Sequence, residues 1–403
     1  MLINDSASVN GGAAKVALTE ARALAESGHS VHLIAAFGPV ESKLKEIKNL
    51  HVHLLDIRDV NSDPNRLRSM ALGMWNPQAY KYTAELLQSF SPGETVIHAH
   101  SWTRALSSSV LKAALDSGRP AVITLHDYLM GCPQGTFFRQ RGSRICQLKP
   151  MGFSCLTTNC DATSYSHKLW RSARKFVQDK AAGVPRNIKH CIYVSNSSLQ
   201  LLKPYLPWEA NCHYLPNPID AIQGPPASVE QSTVFCFAGR FAPEKGALLF
   251  AEAAEAQGVA ARFIGDGPQR DQIIRINPSA EMSGWLSSCD TSNALYDARA
   301  LVFPSLWHEV LGLTVLEAAA QGVPSIVPKG CGAEESVIDG VTGFHFRSGD
   351  VRDLGAKIAL LKQPTIAATL GKAAYERFWS TAEWSIQTHV QRLELLYTNM
   401  LTA

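Results

Sequence analysis

ALVFPSLWHEVLGLTVLEAAAQGVPSIVPKGCGAEESVIDGVTG, residues 300–343, places a short apolar run ahead of a helical pattern. ALVFPS predicts a buried strand, and Leu313 to Gln321 predicts a helix that Gly322 stops before Pro324. Strand, loop and helix in that order aim the first helical amides, around Gly312 to Thr314, at an anion lying over the loop. Glu309 and Glu317, eight residues apart, bracket this entrance. Glu309 is expected in the loop and Glu317 about two turns into the helix. One carboxylate can reach one end of a ligand, the other the far end, with the ligand's negative centre between them. An acidic flank that merely suits the helix dipole is the alternative.

Upstream of this stretch, Thr233 to Ala238 (TVFCFA) predicts a strand that enters Gly239-Arg240-Phe241-Ala242-Pro243-Glu244-Lys245-Gly246, with a helix over Ala247 to Ala256. Arg240 and Lys245, five residues apart in a glycine-flanked loop, suit a diphosphate: a guanidinium binds two oxygens and an ammonium supplies a point charge. Ala261 to Ile264 is the next strand, ended by Gly265-Asp266-Gly267-Pro268, and Met282 to Trp285 and Pro324 to Val327 are further strands. Ahead of all these, Gln223 to Ser232 (QGPPASVEQS) has the composition of a linker, and a domain boundary is expected near residues 218–232.

The N-terminal half alternates in the same way. Leu2 to Asn4 is the end of a strand, and Asn10-Gly11-Gly12 opens a helix with Val16, Leu18, Ala21, Leu24 and Ala25 on one face. Strands follow at Val31 to Ala36, Val52 to Leu55, Thr95 to Ala99, Ala121 to Leu125 and Cys191 to Ser195. Such alternation predicts a parallel sheet with helices on both faces, and ligands of open sheets sit beyond the carboxyl ends of the strands. His100 and His126-Asp127 fall at two of those ends. A hydrogen-bonded structural role is the alternative for each histidine, and His98 reads as a core histidine.

Composition excludes several classes. A chain of 403 residues, 46% hydrophobic and 18% charged, is a globular protein of at least two domains. No apolar run approaches the roughly twenty residues a membrane helix needs. A net charge of +3 gives no sign of nucleic acid as a partner. MLINDSASVNGG has no basic and apolar leader, so a cytoplasmic location with reduced cysteines is expected.

One segment, about residues 130–190, differs from the rest. Cys132, Cys146, Cys155 and Cys160 are spaced C-x13-C-x8-C-x4-C, without the paired knuckles of common zinc modules. A structural metal, unconnected thiols and a regulatory disulfide all remain open. Residues 139–190 hold eleven Lys or Arg against Asp161 and Asp179, and Ser164 to Ala182 reads as a helix with Tyr165, Leu169, Ala173, Phe176 and Val177 on one face. A basic amphipathic stretch can rest on an anionic membrane, and a solvated helix packed by its apolar face is the alternative.

GRFAPEKG, GDGP, PS before E-x7-E, GVP and CGAEESVIDGVTG, in that order, resemble the nucleotide-binding domain of the family 4 retaining glycosyltransferases. Gly11-Gly12, TLHD, VSNS and PNPID resemble the same family upstream, so the likeness covers nearly the whole chain. It implies the α/β GT-B architecture: two Rossmann-like, doubly wound parallel-sheet domains facing a central cleft, over residues 1–220 and 221–383, with a helix at 384–403 crossing back to the first domain.

By that resemblance Arg240 and Lys245 grip the donor diphosphate, Glu317 takes the ribose hydroxyls and Glu309 faces the donor sugar. Gly12, Gly239, Gly265, Asp266, Leu311, Gly312 and Leu313 line the donor. Gly11, Gly12, His100, His126 and Asp127 lie on the acceptor side, and His126 borders the reacting sugar. The implied reaction moves a hexose-type sugar, with retained configuration and no metal or other cofactor, from a UDP-, GDP- or ADP-sugar to a saccharide or lipid-linked saccharide at the inner face of a membrane. A silent binding protein, a sugar-nucleotide epimerase and a phosphorylase are the alternatives. The sequence departs from the family at its short first strand, at Pro218 and at Cys331, where glycine is commoner.

Overall fold

The structure is a computed structural model that describes residues 1–60 and 62–402. Its chain forms two compact units, Met1–Thr136 with Leu148–Asp220 and Ser385–Ala403, and Phe137–Gln147 with Ala221–Trp384. Elements of the first unit begin with β1 (Leu2–Ser6), α1 (Gly12–Glu26), β2 (Val31–Phe37), α2 (Ser42–Lys45), β3 (Leu50–Leu54), α3 (Arg66–Met74), α4 (Pro77–Gln88), β4 (Ile97–Ala99), α5 (Ser109–Asp116) and β5 (Ala121–Thr124). A short antiparallel hairpin, β6 (Phe138–Arg139) and β7 (Arg144–Ile145), groups with the second unit. The first unit then resumes with α6 (Phe153–Thr157), α7 (Tyr165–Val177), β8 (His190–Tyr193), α8 (Asn196–Leu202) and β9 (Asn211–Tyr214).

The second unit runs β10 (Val234–Ala238), α9 (Ala247–Gln257), β11 (Ala260–Ile264), α10 (Arg270–Ile276), β12 (Glu281–Gly284), α11 (Ser288–Tyr296), β13 (Ala300–Val302), α12 (Leu313–Ala320), β14 (Ser325–Pro328), β15 (Gly343–Phe346), α13 (Val351–Leu361) and α14 (Pro364–Thr381). The last helix, α15 (Ile386–Thr402), belongs to the first unit and lies against α1.

Both sheets are parallel throughout, ordered β3-β2-β1-β4-β5-β8-β9 and β12-β11-β10-β13-β14-β15. Parallel strands covered by helices on both faces must be apolar on both faces, which is why VFCFA and ALV read as unbroken apolar runs. Each sheet reverses direction at its central pair, β1/β4 and β10/β13, and the crevice beyond the strand ends at such a point is where ligands bind in this architecture. In the second unit an aromatic cluster of Phe237, Phe241, Phe250 and Phe263 fills the core beside β10 and β11.

Two expectations need revision. The stretch 223–232 is not a free linker: Ala227 donates to the Gln321 carbonyl at 2.8 Å, and Ala227 and Val229 are buried in the core of the second unit. Helix α7 is turned over relative to its sequence pattern. Lys168, Ser172 and Lys175 are buried, while Leu169 and Phe176 are 45% and 56% exposed.

Candidate active site

In the second unit, two loops meet at the carboxyl ends of β10 and β13. Close backbone approach selects their glycines. A Cβ on Gly246 would lie 2.0 Å from the Pro304 carbonyl oxygen, and one on Gly265 the same distance from that of Gly239. Both glycines also have positive φ, +69° and +128°. These contacts bring the Arg240–Lys245 loop against the loop that carries Glu309, and the Leu306 amide donates to the Glu244 carbonyl at 2.8 Å.

Glu309 Oε2 collects three donors: Lys245 Nζ at 2.8 Å, Ser305 Oγ at 2.9 Å and Trp307 Nε1 at 2.7 Å. Lys245 also lies over the Trp307 ring, 5.1 Å from its centroid. Arg240 extends towards solvent and is hydrogen-bonded to the buried carboxylate of Glu244. Gly312 caps α12 with φ +85°, which a side chain would strain and which packs it against Ala333 and Phe303. Glu317 is four residues past Leu313, about 6 Å into the helix and so little over one turn rather than two. Asp266 Oδ1 holds the amide of Gly267, tightening the turn after β11. Cys331 turns its thiol inward to the Pro328 carbonyl, and burial together with the Glu309 charge pushes that thiol up to about 12. Its neighbour Gly332 donates its amide to the Glu309 carbonyl at 2.7 Å. Sequence reasoning passed over Glu244, Ser305 and Trp307, whose part is to hold Arg240 and Glu309.

In the first unit, Gly11 caps α1 beyond the end of β1, with open space where a Cβ would lie. His100 follows β4 and His126 follows β5, and the two rings stack with His100 Nδ1 2.9 Å from His126 Nε2. Burial, with the nearby His100, pushes the His126 imidazole down to about 3. Burial raises the Asp127 carboxyl to about 6, against a hydrogen bond from the Leu129 amide and the charge of Arg174. Beneath His100 lies Glu20 on α1, also missed from the sequence, although a carboxylate midway between Val16 and Leu24 on an apolar stripe was its signal. Burial alone would raise Glu20, but the histidines packed around it, His100, His98 and His389, hold its carboxyl well below the usual range. Among the described residues, Glu20, His98 and His100 are the one set of His, Cys, Asp or Glu whose donor atoms gather as a metal's ligands do.

The cysteines arrange themselves differently. Cys155 Sγ accepts from Lys168 Nζ at 3.3 Å, and Cys132 and Cys160 are close enough to act on the same ammonium. Burial would lower Lys168, but these sulfurs keep its pKa raised. Cys146 falls in the hairpin that groups with the second unit.

Two doubly wound parallel sheets, with cations and carboxylates at the switch point of the second, define a GT-B glycosyltransferase fold. Residues 10–222 match the family described as Glycosyltransferase Family 4, and residues 219–377 match Glycosyl transferases group 1. The chain belongs to this family of glycosyltransferases, which transfer sugars from nucleotide donors in glycan biosynthesis. It is 26% identical over 307 residues to glycogen synthase of Mycobacterium tuberculosis, covering 70% of this chain and 72% of that one. Its fold is similar to that of sucrose-phosphate synthase from Thermosynechococcus elongatus, with TM-score 0.76, 17% identity and coverage of 100% and 98%. It is also similar in fold to Anabaena HepE in complex with UDP-glucose, with TM-score 0.68, 18% identity and coverage of 99% and 98%. No helix among the described residues is long and apolar enough to cross a membrane.

Proposed function

We propose that the protein moves a hexose-type sugar from a nucleoside diphosphate sugar to an acceptor hydroxyl with retention and without a metal. The observation that carries this reading is the Lys245–Glu309 pair, 2.8 Å long, beside Arg240 and the entrance to α12. Glu309 neutralises Lys245. A diphosphate offers Lys245 a stronger partner, with Arg240 and the first amides of α12 completing its cradle. Glu309, still held by Ser305 and Trp307, is then released to the sugar hydroxyls, while Glu317 takes the ribose.

As the anomeric carbon parts from the phosphate oxygen, the bonding pair and its negative charge pass to the leaving diphosphate. Arg240, Lys245 and the amides stabilise that charge. Acceptor oxygen attacks from the same face, its proton passing to the departing phosphate oxygen, so configuration is kept and no covalent enzyme adduct forms. Glu309 positions and polarises rather than attacks. The UDP-glucose bound by HepE supports a nucleotide sugar as donor. A saccharide or lipid-linked saccharide is the acceptor class.

A thermal-shift screen of UDP-, GDP- and ADP-sugars, followed by proton NMR of the product, tests this. Stabilisation by one donor class and a product anomer matching the donor, unaffected by excess chelator, are expected. No stabilisation by any sugar nucleotide, or an inverted anomer, sinks it. For peripheral membrane contact, the exposed Phe153, Leu169 and Phe176 are better placed than Arg171 and Lys175, which are paired with Asp161 and Asp179. Sedimentation with anionic vesicles that does not fall in a Leu169→Ser, Phe176→Ser variant removes that contact.

A further inference from the structure

Glu20, His100 and His126 form a continuous polar chain from the core of the first unit to the end of β5. Glu20 Oε2 lies 3.2 Å from His100 Nε2, and His100 Nδ1 lies 2.9 Å from His126 Nε2. Among the described residues, Glu20 Oε2 and His100 Nε2 are buried and neither completes a hydrogen bond of good geometry, so each is the nearest group able to satisfy the other, with His98 Nδ1 also 3.4 Å from Glu20 Oε2. The other groups around Glu20 are already committed. His389 Nδ1 faces the Pro216 carbonyl and its Nε2 faces Glu20 Oε1, both at 2.9 Å. Two acceptors require a proton on each nitrogen, so His389 is the cation that balances the Glu20 anion. His98 Nδ1 lies 2.6 Å from the Tyr397 hydroxyl and its Nε2 2.6 Å from Thr124 Oγ1. Burial and the Glu20 charge keep that phenol protonated, so it donates to His98 Nδ1.

One cation balances one anion, which leaves His100 neutral. A carboxylate only accepts, so the His100 proton is on Nε2 and its Nδ1 is a lone pair. That lone pair must receive the proton of His126 Nε2, and the remaining nitrogen of a neutral His126, Nδ1, is then an acceptor. Within the described residues His126 makes hydrogen bonds through Nε2 and its backbone amide, and none through Nδ1.

We propose that Glu20 is a positioning residue which, through His100, fixes His126 as the Nε2-protonated tautomer and so presents Nδ1 as an acceptor to a sugar hydroxyl. The sugar contact rests on the reading of His126 as lining the sugar site; the tautomer does not. A metal at Glu20, His98 and His100 is the competing use of the cluster. Against it, His98 Nδ1 is already engaged by Tyr397, and His389 stands at a hydrogen-bond distance from the carboxylate.

The test is nitrogen-15 NMR of the full-length, histidine-labelled protein near neutral pH, with His126→Gln assigning the resonance. Wild type should show His126 with Nε2 protonated and Nδ1 bare. Glu20→Gln, which can either donate to or accept from His100, should give a mixture of tautomers and lower kcat/KM by about 10- to 100-fold, the range for losing one hydrogen bond to substrate. His100→Phe, which leaves Glu20 in place, provides the same readout if Glu20→Gln does not fold. An unchanged His126 tautomer in either folded variant overturns the proposal, as does stoichiometric zinc that Glu20→Gln abolishes. A changed tautomer with unchanged kcat/KM upholds the chain and removes the sugar contact instead.

Discussion

Lys245 is paired with Glu309, and its proposed role at the diphosphate is testable apart from its structural worth. Lys245→Ala should lower kcat by about 10² to 10³, the usual cost of one preorganised charge-stabilising donor, and Arg240→Ala should do the same. Arg240 is largely exposed, so its removal should leave the unfolding midpoint nearly unchanged. Steady-state kinetics beside a denaturant titration separates the two effects, and a kcat within threefold of wild type in both variants would falsify the diphosphate grip. Gly265→Ala should behave in the opposite way. Its Cβ would stand 2.0 Å from a carbonyl oxygen at a φ of +128°, so a loss of about 2–4 kcal/mol in urea unfolding is expected. Arg240, Lys245, Glu309 and Glu317 were legible in the sequence as candidates because charge and spacing name them. Ser305 and Trp307 were not, because nothing in a hydroxyl or an indole announces which carboxylate it will hold.

Helix α7 shows how an element can be read correctly as a helix and wrongly as to its face. Tyr165, Leu169, Ala173 and Phe176 recur at helical spacing and would ordinarily face a core. Here the buried side belongs to Lys168, Ser172 and Lys175. Thiols around Lys168 and the carboxylate of Asp179 beside Lys175 supply partners that sequence distance conceals. Arg174 likewise spends its charge internally, donating to the Thr103 carbonyl at 3.1 Å and lying over the Trp170 ring. Lys168→Ala should therefore cost about 2–4 kcal/mol, whereas Leu169→Ala should cost less than about 0.5. Urea midpoints of the two purified variants decide it, and the reverse ranking would mean that the apolar face packs inward after all.

At the scale of the first unit, the Glu20–His389 pair ties α1 to α15 inside a core where Leu18, Leu24, Val390 and Leu393 also meet. The buried histidines make that core sensitive to acid. Burial lowers His98 well below its usual range and His126 to about 3, so below about pH 6.5 the unfolded chain binds protons that the folded one refuses. Through these two histidines stability should fall beneath that pH, by at most about 1.4 kcal/mol per pH unit for each, and the buried N-terminal amine, lowered to about 5, adds a loss of the same sign that begins below about pH 8. Glu20 adds a loss of its own only once pH drops below about 4.3, where the unfolded carboxylate begins to protonate. Urea midpoints measured from pH 7.5 down to pH 5 check the sign, and His126→Gln should flatten part of the slope.

Strand runs and glycine turns settled the two-sheet architecture in advance, and the paired glutamates with Arg240 and Lys245 put forward the donor-side candidates, because backbone geometry and ligand chemistry leave local marks. Tertiary structure alone decided that Lys168 and Glu20 lie inside, that residues 223–232 are packed, and that Lys245 is already matched to Glu309. Each of these depends on a partner at least 13 residues away in the chain, and a buried charge is stable only where folding delivers that partner.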